Sequence, residues 1–272
     1  FVGSNNINLL MPNGQFGTRI MGGSDSASPR YIHTELNPIV DTIYPKDDMP
    51  LLKYTDDDGL LVEPEYYVPI IPMVLVNGMV GIGTGFSTNI PLFNPQKIIN
   101  NIKRKLNGDK YYVMHPHYNN FKGKIELKPG ENNVYITRGV YKVYANDNKV
   151  VITELPIGKW TDDYIKFIQD NIQSEKNNFI TEYENHSTDT EVKIICIVTD
   201  EFIFDYQHQN GYPDSDGNTF IEKHFKLSSN KSLTNLHLYN KDNQIQKFKD
   251  VYAILDHHFH VRYELYNKRK EY

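Results

Sequence analysis

An arginine stands directly before a tyrosine, Arg30 and Tyr31, at the end of a glycine-rich stretch that begins near Pro12. A phenol with a pKa of about 10 is a poor nucleophile unless positive charge or a metal-bound partner lies nearby. Small residues and glycines can bring backbone amides close to a phosphate group. The stretch therefore fits nucleophilic attack on a phosphate, and the alternative is a turn followed by a half-buried tyrosine.

A second segment, residues 69–88, places Ile82 between Gly81 and Gly83. An isoleucine between two glycines has no bulky sequence neighbour to shield it. Apolar side chains of this kind act as wedges that enter between base steps and kink DNA. The alternative is a tight turn in which Ile82 packs inward.

Other catalytic and metal-binding templates are missing from the sequence. It contains no P-loop, no G-x-S-x-G, no H-E-x-x-H and no EF-hand loop. His115 and His117 lack a third ligand at a useful spacing. Residues 257–260 carry three histidines on a predicted helix, where packing or solvation is the better interpretation. Residues 56–58 are three aspartates, which favour an acidic surface turn over a Mg²⁺ site.

The composition restricts the function classes. The 272 residues include one cysteine, Cys196, which excludes an internal disulfide and a cysteine-based zinc site. No apolar run approaches the about 20 residues of a membrane span. With 29 basic and 34 acidic residues, a net charge of -5 argues against a general polyanion binder but permits a locally basic site.

Hydrophobic periodicity and turn residues predict the main elements. Helices are expected over residues 95–106, 161–172 and from about 251 to the chain end, and strands over 124–127, 134–137, 140–144, 150–155 and 192–199. Residues 73–76 are predicted to be a short buried strand, and residues 81–85 a glycine-dense loop. The start at Phe1 and a last helix without a stop signal lead us to expect a fragment of a longer protein.

Together the two chemical segments resemble the breakage-reunion region of type IIA DNA topoisomerases, the eukaryotic and viral single-chain kind. Residues 12–31 are similar to the active-site tyrosine motif, which ends in an Arg-Tyr pair, and residues 69–85 to the P-I-I-P-M-x-L-x-N-G-x-x-G-I-G-T-G segment. Weaker counterparts extend the resemblance over nearly the whole chain: residues 90–95, 152–156, 160–161 and 263–270. The bacterial gyrase-type protein is a poorer match. The sequence departs from the family at Ser24, usually lysine, at Phe86, usually tryptophan, and most strongly over residues 182–219.

The resemblance implies the activity of an ATP-dependent type II DNA topoisomerase. Tyr31 would attack a DNA phosphodiester and form a transient 5′-phosphotyrosyl double-strand break for duplex passage and religation. Arg30 would stabilise the charge that develops on the phosphate. A non-catalytic DNA-bending module of the same fold is the first alternative. A protein-interaction domain without a nucleic-acid role, suggested by the acidic balance, is the second.

The same resemblance implies the DNA-contacting residues. Arg19 and Gln15 would contact the DNA backbone near the tyrosine. Ile82, presented by Gly81 and Gly83, would enter between bases and bend the duplex.

The expected architecture is α+β. By resemblance, residues 1–70 are the C-terminal part of a winged-helix domain, residues 71–248 a β-rich tower domain, and residues 249–272 the start of a coiled-coil arm. Mg²⁺ and ATP would be bound by domains outside this chain, and no metal ligand is assigned within it. The partners would be double-stranded DNA and a second copy in a homodimer, without a membrane. Because the family draws tyrosine and metal site from different protomers, the fragment by itself is expected to be inactive. It would act in the nucleus of a eukaryote, or in the host cytoplasm, viral factory or virion of a virus.

Overall fold

A computed structural model describes residues 5–176, 178–209 and 211–272 and shows mixed helix and sheet. The α-helices are α1 (Ile39–Ile43), α2 (Met73–Val76), α3 (Pro95–Leu106), α4 (Thr161–Gln173), α5 (Asp200–Gln209), α6 (Phe220–His224) and α7 (Val251–Glu271). The strands are β1 (Tyr54–Asp57), β2 (Leu60–Pro64), β3 (Met79–Gly83), β4 (Phe86–Ile90), β5 (Lys124–Leu127), β6 (Val134–Arg138), β7 (Val140–Tyr144), β8 (Lys149–Glu154), β9 (Ile180–Asn185), β10 (Ile194–Val198), β11 (Ser228–Ser232), β12 (His237–Tyr239) and β13 (Ile245–Lys247). Short 3₁₀ helices cover Pro29–Tyr31, Lys46–Leu51 and Ala145–Asp147.

The chain divides into two compact units. The first unit contains Asn13–His33 and Tyr118–Ser232, and the second contains Asn5–Pro12, Thr34–His117 and Leu233–Tyr272. The boundaries expected at residues 70 and 248 divide the chain differently and stay a prediction. Residues 1–4, at the start of the first expected domain, lie outside the described residues.

The first unit is built on two antiparallel sheets, with strand orders β7-β8-β10-β9 and β11-β6-β5. Alternate residues of β8 and β10 point into its core, where α4 packs against them. Cys196 of β10 is one of these core residues, and burial raises the pKa of its thiol to about 12. Glu154 is also buried, at the inward-facing end of β8. An acidic side chain at a core position must have polar partners, and these lie in the candidate site.

The second unit packs α2, α3 and α7 around an apolar core that includes Leu75, Phe93 and Leu255. The helices begin at side-chain caps: Asn94 accepts the Gln96 amide at 2.9 Å for α3, and Asp250 accepts the Ala253 amide at 2.7 Å for α7. Such caps satisfy amide groups that the first helical turn leaves without an intrahelical partner.

Two buried polar contacts fix α7 within the second unit. Arg262 Nη1 lies 2.6 Å from Asp48 Oδ2 and 3.0 Å from the Val68 carbonyl oxygen. His258 donates from Nε2 to the Pro69 carbonyl at 2.9 Å, and burial lowers its pKa to about 4. His258 is therefore neutral at physiological pH, which agrees with the packed interpretation of the histidines in residues 257–260.

The periodicity predictions for α3, α4 and α7 and for the strands β5, β6, β7, β8 and β10 are confirmed. The prediction of a strand over residues 73–76 was wrong, because these residues form the one-turn helix α2. After Pro72 the amides of Leu75 and Asn77 donate to carbonyls three or four residues earlier, at 2.9 and 2.8 Å. A short buried apolar run does not distinguish a strand from a helix by itself. No helix in the described ranges has the length and apolar content needed to cross a membrane.

Candidate functional site

Tyr31 ends a single turn of 3₁₀ helix, Pro29–Tyr31, in the first unit. Pro29 occupies the first position of the turn, where its fixed φ suits helical geometry, and the Tyr31 amide donates to the Ser28 carbonyl at 2.8 Å. The Tyr31 side chain is 71% exposed, so the half-buried alternative was wrong. Arg30 is exposed as well. Within the described part of the chain, neither side chain has a hydrogen-bond or ion-pair partner, so both groups are available to an external ligand.

The segment that carries this pair, residues 14–31, is called the tyrosine loop. Asp25 closes it by accepting from the Thr18 amide at 2.9 Å and from Thr18 Oγ1 at 2.6 Å, and these hydrogen bonds lower the pKa of Asp25. The Gly23 amide donates to the Thr18 carbonyl, and the Ala27 amide donates to the Gln15 carbonyl, both at 3.0 Å. These amides are occupied within the loop, which corrects the expectation that they face a phosphate. The Gln15 side chain remains exposed.

The glycines of the tyrosine loop are required for close internal packing. Gly17 has φ +90°, and a Cβ on it would overlap the backbone of Gly23. Gly22 has φ +61°, and a Cβ on it would overlap the indole ring of Trp160, the residue before α4. The loop therefore rests directly on Trp160, whose place in the site the sequence did not reveal.

We expect Gly22→Ala to destabilise the first unit by about 2 to 4 kcal/mol, because it combines an unfavourable positive φ with a clash against Trp160. Gly130→Ala is the matched control, since Gly130 has φ +76° and open space around its Cβ position. Denaturant unfolding of both variants measures the difference. Equal losses of unfolding free energy would show that the contact with Trp160 does not hold the loop.

Arg19 anchors the tyrosine loop to β8. Its Nη2 pairs with Oε1 of Glu154, which is 2% exposed, and its backbone amide donates to the Asp189 carbonyl at 2.9 Å. Glu154 also accepts from the amides of Leu155 at 2.9 Å and Lys122 at 3.1 Å. The guanidinium predicted to contact phosphate is thus engaged inside the unit. Glu154 was missed, although a charged residue at an inward position of an alternating strand is a signal for such an anchor.

Ile82 lies near the tip of an antiparallel hairpin of β3 and β4 in the second unit, called the Ile82 hairpin. The expected glycine loop over residues 81–85 was wrong, because residues up to Gly83 pair with β4 and only Thr84 and Gly85 form the turn. Ile82 is 94% exposed, so the inward-packed alternative is also wrong. Val80 lies two residues away on the same face and is exposed too. The opposite face is buried through Thr88 and Ile90.

The two glycines beside Ile82 differ in their surroundings. A Cβ on Gly83 would come within 2.9 Å of the Phe86 ring, so Phe86 covers that glycine. A Cβ on Gly81 would meet only Thr88 Cγ2, at 3.7 Å, so no internal contact among the described residues demands a glycine there. Asn235, which the sequence did not indicate, braces the hairpin: its carbonyl accepts the Asn89 amide and its Nδ2 donates to Ser87 Oγ, both at 2.9 Å.

A resident metal does not fit the described residues. Among them, no group of three or more His, Cys, Asp or Glu side chains is placed to hold a metal ion. The aspartates of residues 56–58 form a turn in which Asp56 Oδ1 accepts the Gly59 amide at 2.6 Å. No chemical step is therefore assigned to a metal held by these residues.

Comparison with known proteins gives one consistent result. The family model that describes DNA gyrase/topoisomerase IV matches residues 1–272. DNA topoisomerase 2 of Arabidopsis thaliana is 42% identical over 100% of this chain, and DNA topoisomerase 2-alpha of Cricetulus griseus is 40% identical over 100% of it. The chain spans only 18% and 17% of the lengths of these two relatives.

Among solved structures, the chain is similar to the DNA-binding, cleavage and re-ligation domain of Plasmodium falciparum topoisomerase II. The TM-score is 0.90 at 39% identity, and the match covers 100% of this chain and 35% of the other. The agreement therefore extends over the complete fold.

Proposed function

The chain belongs to the DNA gyrase/topoisomerase IV family, and on that premise we propose that it is the DNA-cleaving and DNA-bending part of an ATP-dependent type II DNA topoisomerase. The observation that carries this proposal is the Arg30–Tyr31 pair, which is exposed and has no partner within the described residues. The pair stands on a loop fixed by Arg19–Glu154 and Trp160. An accessible nucleophile on a rigid support is what attack on a large substrate requires.

In the proposed reaction, Tyr31 Oη forms a bond to the phosphorus of a DNA phosphodiester. The bond from phosphorus to the 3′-oxygen of the neighbouring nucleotide breaks. The phenol loses its proton, and the departing 3′-oxygen gains one and becomes a hydroxyl. Religation is the reverse, so no external energy source is needed to reseal the strand. The Arg30 guanidinium stabilises the charge that develops on the phosphate oxygens.

The Ile82 hairpin supplies the bending element. Ile82 is a β-branched side chain with few rotamers, on a paired strand, with glycines on both sides. Insertion between base steps costs a few kcal/mol of unstacking, which additional contacts to the bent duplex offset. The glycine at Gly81 leaves room for close approach of the duplex. Gln15 and Arg19 are proposed as lesser backbone contacts, Arg19 chiefly through its anchoring of the loop.

We expect Ile82→Ala to reduce the population of bent DNA by roughly tenfold, or about 1.4 kcal/mol, with a smaller effect on initial binding. Energy transfer between dyes at the two ends of a duplex measures the bend. Leu60→Ala, which removes an exposed aliphatic side chain from the β1–β2 hairpin of the same unit, is the control. An unchanged bend in the Ile82 variant would refute the wedge.

The remaining proposals concern the complete protein. Residues 1–70, 71–248 and 249–272 are proposed as winged-helix, tower and coiled-coil segments. Mg²⁺ and ATP are proposed to bind domains outside this chain, and the working unit is proposed to be a homodimer on double-stranded DNA. The relatives named above are a plant and a mammalian protein, which supports the nucleus over the viral locations.

The proposal is tested with the complete protein, supercoiled DNA and Mg²⁺. After a detergent quench and protease digestion, linear DNA with blocked 5′ ends is expected. Bound and bent DNA without any cleavage would instead favour the non-catalytic bending module. DNA affinity that does not fall linearly in log K against log salt would favour the protein-interaction alternative.

A further inference from the structure

Three lysines of the first unit surround one turn of the chain. Lys159 lies in the turn between β8 and α4, Lys226 directly follows the last turn of α6, and Lys231 lies in β11. Lys159 Nζ donates to the Lys226 carbonyl oxygen. Lys231 Nζ lies 3.0 Å from the place that a Cβ on Gly158 would occupy. These three residues are called the lysine cluster.

The lysine cluster differs from other lysines of its unit in its lack of a counter-charge among the described residues. In that part of the chain, no carboxylate lies within ion-pair distance of any of its three ammonium groups. By contrast, Lys122 and Lys128 of the same unit pair with Glu191 at 2.8 Å and with an aspartate at 3.1 Å. The difference is notable in a chain that has more acidic than basic residues.

The environment of the cluster disfavours positive charge. Burial lowers the pKa of Lys159 and of Lys231, and the charge of Lys226 lowers the pKa of Lys159 further. Lys226 also has φ +51°, a left-handed conformation that is unfavourable for a residue with a Cβ. Like charges held together in this way carry a free-energy cost that a bound anion removes.

The lysine cluster adjoins the support of the tyrosine loop. Trp160 directly follows Lys159, and the Trp160 ring packs against Gly22 of that loop. An anion bound at the cluster would therefore lie on the same unit as Tyr31 and next to the element that holds its loop. A polyanion that reaches Tyr31 can continue onto the cluster.

We propose that the lysine cluster is a second phosphate-contact site, which binds the DNA backbone that flanks the phosphodiester attacked by Tyr31. This inference rests on the proposed function. Lysine ammonium groups act as point charges without the planar fork that reads a base edge. The cluster accordingly holds DNA of any sequence and fixes its path over the first unit.

The test measures the salt dependence of DNA affinity with the complete protein. A triple variant, Lys159→Gln, Lys226→Gln and Lys231→Gln, binds a labelled duplex between about 50 and 200 mM salt. The slope of log K against log salt is expected to become less steep by about 2 to 3 for each protomer, and equally so for a second duplex of unrelated sequence. The melting temperature is expected to stay within about 2 °C or to rise, because repulsion is removed.

Two controls separate charge from other effects. Lys122→Gln with Lys128→Gln removes paired lysines of the same unit and is expected to leave most of the slope intact. A triple arginine variant keeps the charges and is expected to retain the wild-type slope. If the triple glutamine variant fails to fold, each single variant is expected to change the slope by about 0.9.

A wild-type slope in the folded glutamine variants would overturn the inference. If wild-type protein still forms a covalent adduct with DNA, that result refutes the lysine cluster alone and leaves the proposed function intact. If wild-type protein neither binds DNA nor forms an adduct, both are refuted.

Discussion

The complete protein with Tyr31→Phe is expected to form no covalent DNA adduct and to relax no supercoiled DNA, while it binds DNA with wild-type affinity. Phenylalanine keeps the ring and removes only the hydroxyl that would bond to phosphorus. The Tyr31 hydroxyl has no hydrogen bond within the described residues, and the side chain is exposed. The substitution should therefore leave the folded state unchanged.

Relaxation of supercoiled DNA and adduct formation are measured side by side with DNA affinity. Tyr212→Phe is the matched control, because Tyr212 lies in the same unit and is 81% exposed. The control is expected to behave as wild type in all three assays. Relaxation retained by the Tyr31 variant would eliminate Tyr31 as the nucleophile.

The second large effect is expected at Arg30. Arg30→Ala should slow DNA cleavage by roughly 10² to 10³-fold, the usual consequence of removing one group that stabilises transition-state charge. The guanidinium stands next to Tyr31, is exposed, and has no ion-pair partner in the described ranges. Its charge is therefore free to act on a phosphate, and its loss should cost little folding free energy.

Single-turnover cleavage rates with saturating DNA separate this effect from binding. Arg30→Lys is expected to recover part of the rate, because it restores the charge without the bidentate fork. Arg30→Gln, which keeps polarity but not charge, should remain slow. A wild-type cleavage rate in the alanine variant would show that phosphate charge is stabilised elsewhere.

The regular elements could be predicted because their signals are local. Helix α3 begins at the Asn94 cap with Pro95 in its first turn, and it ends just before Gly108, which has φ +77°. Helix α2 was missed because its apolar run of four residues has no periodicity of its own. The Ile82 hairpin was missed because its glycines suggested a loop, whereas backbone pairing with β4 makes them part of a strand.

The candidate site was predictable where the residue type carries the chemistry. Tyr31 and Ile82 were singled out by sequence, and both are exposed as their proposed roles require. The contacts that support them were not predictable, because they join residues far apart in the chain. Gly22 meets Trp160 and Arg19 meets Glu154, so glycines that suggested a phosphate cradle serve packing instead.

The most direct test of the account identifies the residue to which DNA becomes attached. The complete protein cleaves DNA in the presence of Mg²⁺, the complex is denatured and digested with protease, and the peptide that remains on the DNA is identified by mass spectrometry. The account predicts a peptide in which Tyr31 carries the 5′-phosphate of a nucleotide. Attachment at any other residue, or cleaved DNA without an attached peptide, would contradict it.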